Sequence, residues 1–167
     1  MRSMAIRDSV GPFAESKQSP PLPGAGTPLM KRKVLIVDDN LDSITILRSI
    51  LETNGYAVQS AQSGREALDL LKTNRPDVIL LDVMMPDMSG LEVLERIKSA
   101  HETSKIPVIM VTAKMQDEDV LVGYQYGADY YITKPCTAKQ LLYGIGLVFG
   151  KIDPTTDVPE SPNDDVA

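Results

Sequence analysis

Val34-Leu35-Ile36-Val37-Asp38-Asp39 sets an unbroken apolar run against two carboxylates, and Val78-Ile79-Leu80-Leu81-Asp82 repeats the arrangement later in the chain. A strand with one solvated face alternates apolar and polar residues, so a run that is apolar at every position is expected of a parallel strand covered on both faces. Between the two runs, Leu41, Ile44, Leu47, Ile50 and Leu51 recur at helical spacing until Gly55. That periodicity predicts an amphipathic helix with a glycine stop.

Working outward, short apolar runs keep alternating with helical patterns. Tyr56–Ala61 reads as a weaker strand and Arg65–Thr73 as a helix with Ala67, Leu68 and Leu71 inward. After Pro86 and Gly90, Leu91–Ala100 is helical, Pro107–Val111 is a fourth strand and residues 117–126 are a poorer helix. Tyr130–Ile132 is a short fifth strand and Thr137–Phe149 the last helix. The order is (βα)5. Right-handed crossovers turn such a chain into an α/β doubly wound parallel sheet with helices on both faces, whose ligands bind at the carboxyl ends of the strands.

Composition separates this core from two tails. Eight of the 12 prolines fall in the first 30 and last 17 of the 167 residues. Residues 1–30 carry a charge of +1, residues 31–150 carry -3 and residues 151–167 carry -4. The first and last segments lack periodicity and are expected to be disordered, the second of them acidic. The 31–150 core is near the usual size of one domain and needs no covalent staples.

The same counts exclude several functions. Only Lys31, Arg32 and Lys33 cluster as basic residues, which disfavours direct nucleic-acid binding. One cysteine, Cys136, rules out an intrachain disulfide framework and a multi-cysteine zinc site, and suits a reducing cytoplasm. No run of about 18 apolar residues exists to insert in a membrane, and there is no secretory apolar segment at the N-terminus. A cytoplasmic location is expected.

The strand ends bring chemistry together. Strand one ends in Asp38-Asp39, strand three in Asp82, strand four in Thr112, and strand five leads to Lys134. Packed carboxylates repel and raise one another's pKa unless a cation relieves them. An acid-rich rim without His or Cys suits Mg²⁺, which uses one or two carboxylates and keeps several waters. A carboxylate in such a place is a candidate nucleophile toward phosphorus, and Thr112 and Lys134 would offer a hydroxyl and an ammonium to the transferred oxygens. A single aspartate at a strand end is an ordinary loop or cap residue. Their joint occurrence is what carries weight.

These residues resemble a known family, the receiver domain of two-component response regulators. The resemblance lies in Asp38-Asp39, in Leu81-Asp82-Val83-Met84-Met85-Pro86-Asp87-Met88-Ser89-Gly90, in Val111-Thr112-Ala113, and in Gly127-Ala128-Asp129-Tyr130-Tyr131-Ile132-Thr133-Lys134-Pro135. It implies a flavodoxin-like strand order 2-1-3-4-5. It implies phosphorylation of Asp82, and Mg²⁺ held by Asp39, Asp82 and the Met84 backbone carbonyl, with Asp38 assisting through water. Thr112 and Tyr131 would be the switch pair and Lys134 the phosphate partner. Lys134-Pro135 would be a cis bend, and Pro86 and Gly90 would shape the loop after Asp82. The implied donor is a sensor histidine kinase or a histidine phosphotransfer protein.

No segment after the core has the length or pattern of an output domain, so a stand-alone regulator acting on a downstream protein is expected. In the last helix Leu141, Leu142, Ile145, Val148 and Phe149 form the expected core stripe, while Tyr143 and Leu147 fall on the other side. Those two are therefore candidate partner residues, in a phosphorylation-linked dimer through the fourth helix, fifth strand and fifth helix or in a target contact. Gly144 and Gly146, each unfavourable in a helix, point to close approach or local flexibility.

Three other readings compete. A small-molecule phosphatase or phosphotransferase would usually place an acid/base residue two positions after the nucleophile, where Met84 stands. A nucleotide or flavin carrier would need a glycine-rich loop where Asp38-Asp39-Asn40 stands. A receiver used only as an interaction module would be expected to lack part of the site. Cys136 and His101 read as packing and solvated residues respectively.

Overall fold

The computed structural model describes residues 31–113 and 117–150, with backbone alone for 117–119. The two tails, and Lys114 two positions after Thr112, lie outside the described residues. Among the described residues ten elements alternate: β1 (Lys33–Val37), α1 (Leu41–Thr53), β2 (Ala57–Ala61), α2 (Gly64–Leu70), β3 (Val78–Leu81), α3 (Gly90–Ser99), β4 (Val108–Thr112), α4 (Asp117–Gln125), β5 (Tyr130–Thr133) and α5 (Ala138–Val148). The strands form one sheet in the order β2-β1-β3-β4-β5, every pair parallel.

Strand alternation divides the apolar runs between two cores. Leu35, Val37, Ile79, Leu81, Val108 and Met110 point to one face, where Ala67, Val93, Leu94 and Ile97 of α2 and α3 meet them. Val34, Ile36, Val78, Leu80, Ile109 and Val111 point to the other, against Ile44, Leu47, Leu51, Leu141 and Ile145 of α1 and α5. That two-sided burial explains why these runs carry no polar residues. β2 is an edge strand with Ala57 and Gln59 exposed, which accounts for its weaker pattern.

The helix boundaries follow local chemistry. Asn40, Ser63, Ser89 and Thr137 each accept a hydrogen bond from a backbone N–H in the first turn of the helix they precede. Glu92 and Gln140 return the bond and complete capping boxes at α3 and α5. At the end of α1 the Tyr56 N–H reaches the Leu51 carbonyl at 3.0 Å, and Gly55 supplies the φ of 89° that this turn requires.

One expectation for α5 is corrected. Tyr143 is only 7% exposed and Leu147 is half-buried, so the pair does not form an open apolar side. The reason lies at Gly144, where an added β-carbon would stand 3.0 Å from both Ile132 Cδ1 and Tyr130 Cδ2. The missing side chain lets α5 settle closely on β5, and Tyr143 meets the Tyr130 ring edge-on at 6.5 Å. Burial thereby extends beyond the stripe expected from spacing alone. Val148 and Phe149 of that stripe pack at its margin, with the Arg32 guanidinium 4.2 Å from the Phe149 ring.

Candidate functional site

Parallel register brings the candidate residues to one edge. Val37 pairs with Leu81, and the ladder continues one step as the Asp82 N–H donates to the Val37 carbonyl at 2.9 Å. The residue after each strand is therefore an aspartate, Asp38 on β1 beside Asp82 on β3. On the other side, β4 ends in Thr112, and the Lys134 N–H donates to the Thr112 carbonyl at 2.9 Å. The Lys134-Pro135 peptide is cis.

Lys134 draws the cluster together. Its ammonium donates to Asp38 Oδ2 in a very close contact, to Asp82 Oδ2 at 3.4 Å and to Ser43 Oγ at 3.4 Å. Asp38 and Asp82 are buried and Thr112 is fully so, whereas Asp39 is exposed. Asp38 Oδ1 also accepts from the Asn40 N–H at 2.9 Å, and Asp82 Oδ1 from the Met84 N–H at 3.2 Å.

Three carboxylates share this space with that ammonium. Oxygen atoms of Asp38, Asp39 and Asp82 all lie within 4.8 Å of one another. The Asp82 carboxyl is raised above the ordinary aspartate range, chiefly because burial strips water from it. Lys134 opposes that shift, Asp38 adds to it by repulsion, and the Met84 N–H opposes it. The donor set is all carboxylate oxygen, and Asp39 leaves one side open to water, a combination that fits Mg²⁺ better than a softer ion.

The remaining residues frame the cluster. Tyr131 is buried in the core on the α2–α3 side, paired in register with Met110. Met85 of the loop after Asp82 is buried, while Met84 and Pro86 are exposed. The Gly90 N–H closes that loop on the Val83 carbonyl at 2.9 Å. Cys136 is half-buried against the α1–α5 core, and burial pushes its thiol pKa up. His101 is exposed.

Ser43 and the Lys98–Asp129 pair are additions that sequence reading missed. Ser43 touches a residue 91 positions away, and no local pattern marks such a contact. Lys98 donates to Asp129 Oδ2 at 3.1 Å and to the Ile106 carbonyl at 2.7 Å, anchoring the approach to β5.

Comparison with known proteins agrees with this geometry. A family model described as the response regulator receiver domain matches residues 34–145. The chain is 34% identical over 137 residues to the alkaline phosphatase synthesis transcriptional regulatory protein PhoP of Bacillus subtilis, covering 82% of this chain and 56% of PhoP. It thus spans about half the length of the curated relatives it matches. Among solved structures, a CheY-like receiver domain protein from Methanospirillum hungatei is 31% identical with a TM-score of 0.68, covering 73% of this chain and 97% of that one. Chemotaxis protein CheY4 of Vibrio cholerae is 33% identical with a TM-score of 0.69, covering 71% and 99%.

Proposed function

Because the chain belongs to the response regulator receiver domain family, the signalling domain of two-component systems, we propose that Asp82 is its phosphoryl acceptor. In this reading a carboxylate oxygen of Asp82 attacks the phosphorus of a phosphohistidine. The new O–P bond forms as the N–P bond to the donor imidazole breaks, leaving an acyl phosphate on Asp82. The observation that supports it best is the convergence of Asp38, Asp39, Asp82 and Lys134 on one strand edge.

Asp38, Asp39, Asp82 and the Met84 carbonyl would hold Mg²⁺, directly or through water. When bound there, Mg²⁺ supplies positive charge to the phosphoryl oxygens. Lys134 exchanges part of its contact with the carboxylates for a phosphoryl oxygen, and the Thr112 hydroxyl donates to another. Tyr131 responds to the displacement of Thr112. Pro86, Gly90 and Pro135 hold the loops on which these groups stand. The activity is confined to the protein's own phosphorylation and slow hydrolysis, with output through protein contacts.

The donor in this reading is a sensor histidine kinase or a histidine phosphotransfer protein, met by this chain in the cytoplasm. The target or dimer contact falls on α4 rather than on the buried Tyr143. Leu121 and Tyr124 of α4 are 63% and 45% exposed, which supports that placement. A small-molecule phosphotransferase is disfavoured, because Met84 stands two positions after Asp82, where such an enzyme usually places its acid/base residue.

Intact-mass measurement with acetyl phosphate and Mg²⁺ tests the reading. The native chain should gain one phosphoryl group that hydroxylamine removes, and Asp82→Asn should gain none. Equal gain by both, or gain by neither, would refute the assignment.

A further inference from the structure

On the sheet face covered by α2, α3 and α4, Tyr131 lies over a glycine. A β-carbon built on Gly123 of α4 would stand 1.7 Å from the Tyr131 hydroxyl oxygen, 2.7 Å from Cζ and 3.0 Å from Cε2. The ring therefore occupies volume that any other residue type at 123 would claim. Tyr131 is 8% exposed in this position, and the Tyr124 ring packs against it with centroids 5.2 Å apart.

If a side chain were present at 123, either the helix or the ring would have to move. The hydrogen bonds at the end of α4 decide which. The Ala128 N–H donates to the Gly123 carbonyl at 2.9 Å and the Gly127 N–H to the Tyr124 carbonyl at 3.1 Å, with Gly127 at φ 101°. This is a closed glycine turn that holds the last turn of the helix. Asp129, which follows, donates its N–H to the Val108 carbonyl at 2.9 Å and accepts from the Val108 N–H at 2.8 Å. Lys98 of α3 grips the same carboxylate. The backbone around Gly123 is thus tied to β4 and α3, whereas a tyrosine ring can leave by a change of side-chain rotamer.

We infer that Gly123 is the positioning residue for Tyr131: the absence of a side chain at 123 gives the ring its buried seat, and a single methyl group there drives the ring outward. Tyr124 closes the seat from the side and is itself 45% exposed, so expelling Tyr131 also alters the outer surface of α4. The inference rests on packing and stands whether or not Asp82 accepts phosphate. If Asp82 does, Gly123 sets the resting position of a switch residue without touching the carboxylate cluster.

The test turns on a change of sign. Ala replacing Gly inside a helix ordinarily raises the folding constant by up to about fivefold. In the full chain, Gly123→Ala should instead lower it, while the same replacement in a Tyr131→Ala background should raise it. Fluorotyrosine labelling supplies the second readout, with the Tyr131 ¹⁹F resonance assigned through Tyr131→Phe. In Gly123→Ala that resonance should move to a solvent-exposed shift. Failure of Gly123→Ala to fold, with folding restored by Tyr131→Ala, has the same meaning. Equal stabilisation in both backgrounds, an unmoved resonance in a folded Gly123→Ala, or failure of the double variant to fold would overturn the inference. Acetyl phosphate labelling of Asp82 in the same variants reports separately on the acceptor reading.

Discussion

Gly90, the first residue of α3, lies against the backbone of Asp82: a β-carbon there would stand 2.0 Å from the Asp82 carbonyl oxygen and 2.8 Å from its carbonyl carbon. The obstacle is main chain at the end of a central strand, so it cannot turn aside as a side chain can. Gly90→Ala should cost about 2 kcal/mol or more by overpacking, read as a lower urea midpoint, and should slow phosphoryl acceptance by displacing Asp82. Gly64 provides a comparison, since its β-carbon would meet side-chain atoms of Val93 and Met88. Gly64→Ala should cost less and leave acceptance nearly unchanged.

Lys134 neutralises part of a buried cluster, so removing it leaves Asp38 and Asp82 facing each other without an ammonium. In EDTA, Lys134→Met should destabilise the fold by about 2 kcal/mol. Mg²⁺ at a concentration well above its dissociation constant should close most of that gap, because a cation can substitute for the lost charge. Thermal melts with and without Mg²⁺ measure both effects. A gap that Mg²⁺ leaves unchanged would argue against metal binding by these carboxylates.

Burial raises the Asp82 carboxyl above its unfolded value, so the folded chain holds this proton more tightly than the unfolded chain. The stabilisation from Asp82 is complete below the unfolded value of about 3.9 and is lost as pH rises through the raised folded value. At neutral pH without metal, Asp82 therefore opposes folding. Asp82→Asn should melt on the order of 4 °C higher in EDTA at pH 7, a gain of about 1 kcal/mol, with the advantage shrinking as pH falls toward 4. Paired melts across that range check the sign.

Tyr143 packs edge-on against Tyr130 and is buried, so a charge placed there has no route to water. Tyr143→Glu should cost about 3 kcal/mol, whatever the phosphorylation state. Leu121→Glu on the exposed face of α4 should leave stability within about 0.5 kcal/mol and act only on association. Denaturation together with sedimentation of the phosphorylated chain separates the two.

Much of the fold was legible because burial on both faces of a parallel sheet leaves a local mark. Val34–Val37 and Val78–Leu81 are apolar at every position, and the strands they form are buried on both faces. Asp38, Asp82 and Lys134 were legible because each stands directly after a strand, with Asp39 one position further on. Parallel register then aligns those positions with no further information. Tyr143 was misread because helical spacing assigns a residue to a side of its own helix and says nothing of how near the neighbouring strand comes.

By itself, the sequence determined the alternation of strands and helices, the strand ends that carry Asp38, Asp39, Asp82, Thr112 and Lys134, and the family to which those motifs belong. Each of these depends on the order and spacing of nearby residues. Only the tertiary structure decided that Lys134 reaches Ser43 as well as the aspartates, that α5 sinks onto β5 at Gly144, and that Tyr131 lies over Gly123. Those relationships are distances between residues of different elements. They are set by how closely two packed surfaces approach, and a glycine far along the chain can change that approach by the width of a methyl group.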